Sequence, residues 1–136
     1  MTQEQKDLLF KDLCARLPYG VKLKVKHYDD VWKLLAIYTN GTIYTTRDVG
    51  YPVETYFEDC KPYLFPLDSM TEEQKKEYNR WKHDIPVCHY EYGDVVEEDE
   101  LWESPASFEY LIANHFDDKG LIERGLAIDA TNLNIY

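Results

Sequence analysis

Two prolines four residues apart, in the stretch Cys60-Lys61-Pro62-Tyr63-Leu64-Phe65-Pro66-Leu67-Asp68-Ser69-Met70, constrain this chain more than any other feature of it. Each proline fixes its own φ and biases the residue before it toward β or polyproline geometry, so the stretch reads as a stiff, extended connector. It is also dense in apolar groups (Tyr63, Leu64, Phe65, Leu67 and Met70) that need a surface to pack on. Upstream the periodicity is that of strands; downstream it is that of helices. Residues 60–70 therefore read as a structural seam, carried by Pro62, Tyr63, Leu64, Pro66 and Met70, that sets a helix against a sheet.

Ahead of the seam, Thr2 with Gln5 three residues on is a capping-box pattern. Phe10, Leu13, Cys14 and Leu17 then recur at i, i+3, i+4 and i+7, which predicts one apolar helix face ended by Pro18-Tyr19-Gly20. Val21, Leu23 and Val25 alternate with Lys22, Lys24 and Lys26, so a strand follows with one face on a core and lysines on the other. After a turn at His27-Tyr28-Asp29-Asp30, Val31 to Thr39 predicts a more buried strand. Asn40-Gly41 then predicts a type I′ hairpin into Thr42–Thr46, setting Thr39 opposite Thr42, Tyr38 opposite Ile43 and Ile37 opposite Tyr44. Val53 to Phe57 can form a fourth strand. Strands in immediate succession imply an antiparallel meander.

Behind the seam, Thr71-Glu72-Glu73-Gln74 repeats the opening device of Thr2 and predicts a second helix to about residue 83. Tyr78 and Trp81 are its apolar anchors. Residues 84–104 read as an acidic insert, a short hairpin or a loop, with eight acids and no bases, centred on Glu97-Glu98-Asp99-Glu100. Ser104-Pro105 opens a third helix, with Phe108, Leu111, Ile112 and His115 on one face and Asp117-Asp118-Lys119-Gly120 at its end. Leu121 to Arg124 fits one helical turn closed by Gly125, and Leu126 to Ala130 a last strand or packed tail. The pattern predicts one α+β domain over residues 1–136. Its N-terminal half (1–59) supplies a helix and an antiparallel sheet of about four to five strands, and residues 71–136 supply two C-terminal helices.

At 136 residues the chain is long enough for a core without metal or disulfide support. Its net charge of −11 argues against generic binding to nucleic-acid backbone or anionic membrane. The charge is uneven: residues 1–50 carry 8 Lys/Arg and 6 Asp/Glu, residues 51–136 carry 7 and 20. Such a split places a mildly basic face beside an acidic one. The polar N-terminus reads as a helix start and not a secretory signal, and no run approaches a membrane span. Cys14, Cys60 and Cys88 include no close pair, which fits reduced thiols in a cytoplasm.

Three sets of words carry a resemblance. They are Lys11-Asp12-Leu13-Cys14-Ala15-Arg16-Leu17-Pro18-Tyr19-Gly20-Val21; Lys61 through Glu73; and Asn114-His115-Phe116-Asp117 with Gly120-Leu121-Ile122 and Gly125-Leu126-Ala127-Ile128-Asp129-Ala130. In these the chain resembles a family of small proteins of unknown function that recur in gut anaerobic bacteria and their prophages. The resemblance spans most of the chain, fits least well over 84–104, and implies a phage or mobile-element setting but no activity.

His115, Asp117 and Asp118 form the most enzyme-like cluster, since imidazole and two carboxylates can hold a divalent metal; the same residues also suit a helix end and turn. Cys88 and His89 with His83 and Cys60 lack zinc-site spacing, and adjacent strand residues cannot pair as nucleophile and base. No cofactor or metal is expected. Lys22, Lys24 and Lys26, with Tyr28, Trp32, Tyr38 and Tyr44 on neighbouring strands, resemble a face that stacks single-stranded bases and holds phosphates; a solvated lysine row guarding an edge strand is the plainer reading, given the net charge. The acidic run reads as a solvated loop, a dock for a basic partner or a mimic of DNA phosphate. The expectation is a non-enzymatic, cytoplasmic protein-interaction module with a host or phage protein as partner. A DNA mimic or a single-strand binder is the alternative.

Overall fold

Thr2 caps α1 (Gln3–Arg16) as its sequence requires: Gln5 N–H donates to Thr2 Oγ1 at 3.2 Å and Thr2 N–H to Gln5 Oε1 at 2.9 Å. The same reciprocal pair, Thr71 with Gln74, opens α2 (Glu72–His83). The computed structural model describes residues 1–47, 50–83 and 105–136. Between the two helices run β1 (Lys22–Val25), β2 (Val31–Ile37), β3 (Thr42–Thr46), β4 (Val53–Tyr56) and β5 (Cys60–Leu64). After α2 come α3 (Pro105–Ala113) and a two-residue β6 (Ile128–Asp129).

The α+β expectation holds, with a sheet of six strands in the order β4-β3-β2-β1-β5-β6. The first four form the antiparallel meander; β5 crosses to the other side of β1, and β6 joins β5 in parallel. The seam is thus corrected in its first half: Cys60–Leu64 is an interior strand of the sheet and only its second half connects. Pro62 is tolerated there because of the ladder's phase. Lys26 N–H bonds Asp59 O at 2.8 Å, so the pairs Lys26–Asp59 and Lys24–Lys61 are hydrogen-bonded and Leu23–Pro62 falls between them. The missing N–H of Pro62 therefore lies on the side away from β1.

The β2–β3 turn departs from the expected register by one residue. Gly41 N–H closes on Tyr38 O at 3.1 Å and Tyr38 N–H on Thr42 O at 2.9 Å. Asn40 keeps negative φ while Gly41 takes φ 91°, so the loop is a three-residue turn with a glycine bulge and not the type I′ turn, which needs two positive φ values. Ile37 then faces Ile43 and Ala36 faces Tyr44, with a bulge at Leu35. This register sends Ile37 and Ile43 together into the core, where the predicted one would have separated them.

The core lies between one sheet face and α1. Val21, Leu23 and Val25 pack with Trp32, Leu34, Ile43, Cys60 and Leu64, and with Leu9, Leu13, Leu121 and Leu126 from the other elements. α1 is rotated from its predicted face. Leu9, Asp12, Leu13 and Arg16 are buried, Phe10 and Leu17 only partly so, and Cys14 is exposed. The rotation is possible because the buried charges on that face meet partners.

Beyond α3, Phe116 N–H bonds Leu111 O (2.8 Å) and His115 N–H bonds Ile112 O (3.1 Å), a Schellman cap with His115 in the left-handed position at φ 65°. His115 therefore follows the helix instead of extending its apolar face, and Phe108 is exposed. The expected turn at 121–124 has the same cap, with Leu126 N–H on Leu121 O and Gly125 at φ 75°.

Candidate functional site

α1 buries a charge pair that its neighbours complete. Arg16 Nε donates to Asp12 Oδ2 at 2.8 Å, and both side chains are fully buried. Arg16 Nη2 reaches Phe116 O at 2.5 Å and Asp118 Oδ1 at 3.2 Å. Lys119 Nζ closes the ring on Asp12 Oδ1 (3.3 Å) and Asp118 Oδ2 (3.2 Å). Two cations and two carboxylates balance, which is the condition under which such a group can be taken out of water. Their work is to bolt α1 to the turn after α3.

Of the three residues considered for metal or acid–base chemistry, one belongs to that bolt. Asp118 faces Arg16 and Lys119. The Asp117 carboxylate accepts from Leu121 N–H (2.8 Å) and Ile122 N–H (2.9 Å), capping the following turn. The His115 ring stacks on Tyr136, 3.7 Å between centroids and 11° from parallel. Burial, then the charges of Arg16 and Lys22, push the imidazole down to about 4. Among the described residues no group of three His, Cys, Asp or Glu could hold a metal ion. Asp117 and Asp118 position chain segments, while His115 Nδ1 is buried without a hydrogen-bond partner among the described residues.

The other face of the sheet is different in kind. Side chains opposite each other in an antiparallel pair share a face, so the register Lys22–Lys33 and Lys24–Lys61 gathers four lysines on β2, β1 and β5. Leu34 N–H bonds Val21 O at 3.1 Å, which makes Lys22–Lys33 a non-hydrogen-bonded pair, the closer of the two spacings, at about 4.5 Å between Cα atoms. Like charges set opposite each other destabilise a sheet. None of the four makes an ion pair among the described residues. Lys22 Nζ donates to Ile135 O and lies over the Tyr136 ring, and Lys24 Nζ donates to Tyr28 O, contacts that hold the ammonium groups without neutralising them. Lys33 and Lys61 are exposed.

Part of the expected basic, aromatic face is therefore found and part is corrected. β1 is flanked by β2 and β5, so its lysines do not guard an edge. Lys26 lies beyond the strand end, in the turn where His27 takes φ 72°. Trp32 pairs with Leu23 and is buried in the core, 1% exposed, under Arg47 and Tyr28, so it offers no stacking platform. Tyr44 and Tyr56 do share the lysine face, beside Glu54. Lys33 and Lys61 are additions. Lys33 was readable from its place between Trp32 and Leu34; Lys61 was hidden in what looked like a connector.

Cys60 is buried, with its thiol against Tyr56 O and pushed up to about 12 by burial and by Asp59, so it is inert. Cys88, His89, the expected insert 84–104 and its run Glu97-Glu98-Asp99-Glu100 lie outside the described residues, as does the side chain of His83. No helix of the described residues is long and apolar enough to cross a membrane. No family model, curated protein or solved structure matches the chain.

Proposed function

We propose that this chain is a non-enzymatic protein-interaction module, encoded by a phage or mobile element and acting in the cytoplasm, that docks on a host or phage protein through the lysine-bearing face of its sheet. The observation behind it is the set of lysines Lys22, Lys24, Lys33 and Lys61, held side by side without a carboxylate partner among the described residues. A sheet that sets like charges opposite each other gives up stability, and an anionic surface laid on them would return it. Asp117 and Asp118, beside His115, are engaged in holding the fold, which supports a binding role over catalysis. The test is capture from host lysate by the wild type and by Lys33→Glu/Lys61→Glu. A partner retained only by the wild type supports the reading; one retained equally by both sinks it.

Single-stranded nucleic acid is the second reading, favoured by Tyr44 and Tyr56 on the same face as the lysines. The DNA-mimic reading rests on Glu97, Glu98, Asp99 and Glu100, outside the described residues.

A further inference from the structure

Four lysines at two register steps on three adjacent strands make a grid, and a grid selects for spacing as well as charge. Along β1, Lys22 and Lys24 are two residues apart, about 6.7 Å at the rise of a strand. Across the strands, Lys33 and Lys61 stand about 4.5–5.5 Å from their partners. The patch is short in both directions. It suits a few charges on a segment that repeats at the strand period, and an extended polypeptide with acids at every second residue repeats at that same distance.

The neighbouring residues discriminate between anions. A phosphate backbone continuing from the lysines toward Tyr44 would meet the carboxylate of Glu54, directly opposite Tyr44 in the register. Tyr44 is itself engaged edge-on by Tyr38, with 6.4 Å between centroids, and Trp32 faces the core. Trp32 is thus turned away and Tyr44 engaged, which leaves Tyr56 exposed on that face, and one ring is a poor track for a strand that stacks successive bases. An overall charge of −11 opposes a long polyanion more than a short acidic segment of a larger protein. Exposed Leu35, at the bulge, and Tyr56 supply the amphipathic rim that a polypeptide uses and a phosphate track does not.

We infer that the lysine face binds an extended polypeptide segment carrying carboxylates at alternate positions, laid along β1 between Lys33 and Lys61. The inference rests on the module reading above and adds the partner's chemistry to it. Four probes test it on the full chain by fluorescence anisotropy: a heptapeptide alternating Glu and Thr, the same composition with its acids consecutive, an all-Thr peptide, and oligothymidylate. The alternating peptide should bind most tightly and weaken steeply with salt. Lys33→Gln/Lys61→Gln, which relieves repulsion and so preserves the fold, should weaken it about tenfold or more. Equal binding of the two acidic peptides overturns the inference, as does tighter binding of oligothymidylate or no binding by any peptide. If the peptides fail while partner capture still depends on Lys33 and Lys61, the inference falls and the module reading stands. If capture is indifferent to those lysines, the module reading falls with it.

Discussion

The hydroxyl of Tyr136 sits in the β1–β5 ladder, accepting from Lys22 N–H at 2.9 Å and donating to Tyr63 O at 2.8 Å. One step inside, Leu23 and Pro62 are paired directly. The phenol thus occupies the place of a backbone hydrogen bond, and burial pushes it up to about 12 although 41% of the residue stays exposed. Tyr136→Phe removes donor and acceptor at once, leaving two backbone groups facing each other. A loss of about 1–2 kcal/mol in urea unfolding is expected; an unchanged midpoint would mean the strands close up unaided.

Burial, then the charges of Arg16 and Lys22, keep His115 neutral where it stacks on the Tyr136 ring. Its folded value of about 4 lies below the ordinary 6.5, so the unfolded chain binds the proton more readily. Stability is complete above about 6.5 and is lost as pH falls from there toward 4. Partial exposure discounts the effect to about 2 kcal/mol. His115→Asn, which also tolerates the left-handed backbone, should flatten that part of the stability–pH curve, measured by thermal unfolding across the same range.

Arg16→Met leaves Asp12 buried beside Lys119 alone and should cost about 3–5 kcal/mol. Asp12→Leu/Arg16→Met removes both charges and should recover much of that loss. Denaturant midpoints for the single and double variants decide it, and a double variant as unstable as the single one would count against charge balance as the cause.

Lys33→Thr should stabilise the fold by about 0.2–1 kcal/mol, because it separates the closest like-charged pair in the sheet. The gain should shrink as salt rises, since these groups face water. Unfolding in low and high salt tests both parts.

Pro62→Ala/Pro66→Ala should lose about 1–2 kcal/mol through the unfolded chain's greater freedom. Neither proline's missing N–H serves the β1 ladder, so the sheet itself should survive, as far-ultraviolet circular dichroism would show.

Local signals were legible and long-range ones were not. Both capping boxes, the β1 alternation, Pro105 and the Gly125 turn follow from rules that act within a few residues, and each is found where its residues stand. The α1 face was only partly legible, because a hydrophobic count passes over Asp12 and Arg16, whose burial depends on Phe116, Asp118 and Lys119. Strand β5 was missed because two prolines look like a connector until the phase of the ladder shows where the absent N–H points. The lysine face was half seen: alternation gave Lys22 and Lys24, but Lys33 and Lys61 enter only through register.

The contacts that bind the first elements come from the far end of the chain: Arg16 to Phe116 across 100 residues, Asp12 to Lys119 across 107, Lys22 to Tyr136 across 114. Asp12 and Arg16 pair within α1 itself, but Phe116, Asp118 and Lys119, which complete their surroundings, lie 100 or more residues further along the chain. Contacts this far apart in sequence raise the contact order, and refolding is expected to be slower than for a domain closed by local contacts.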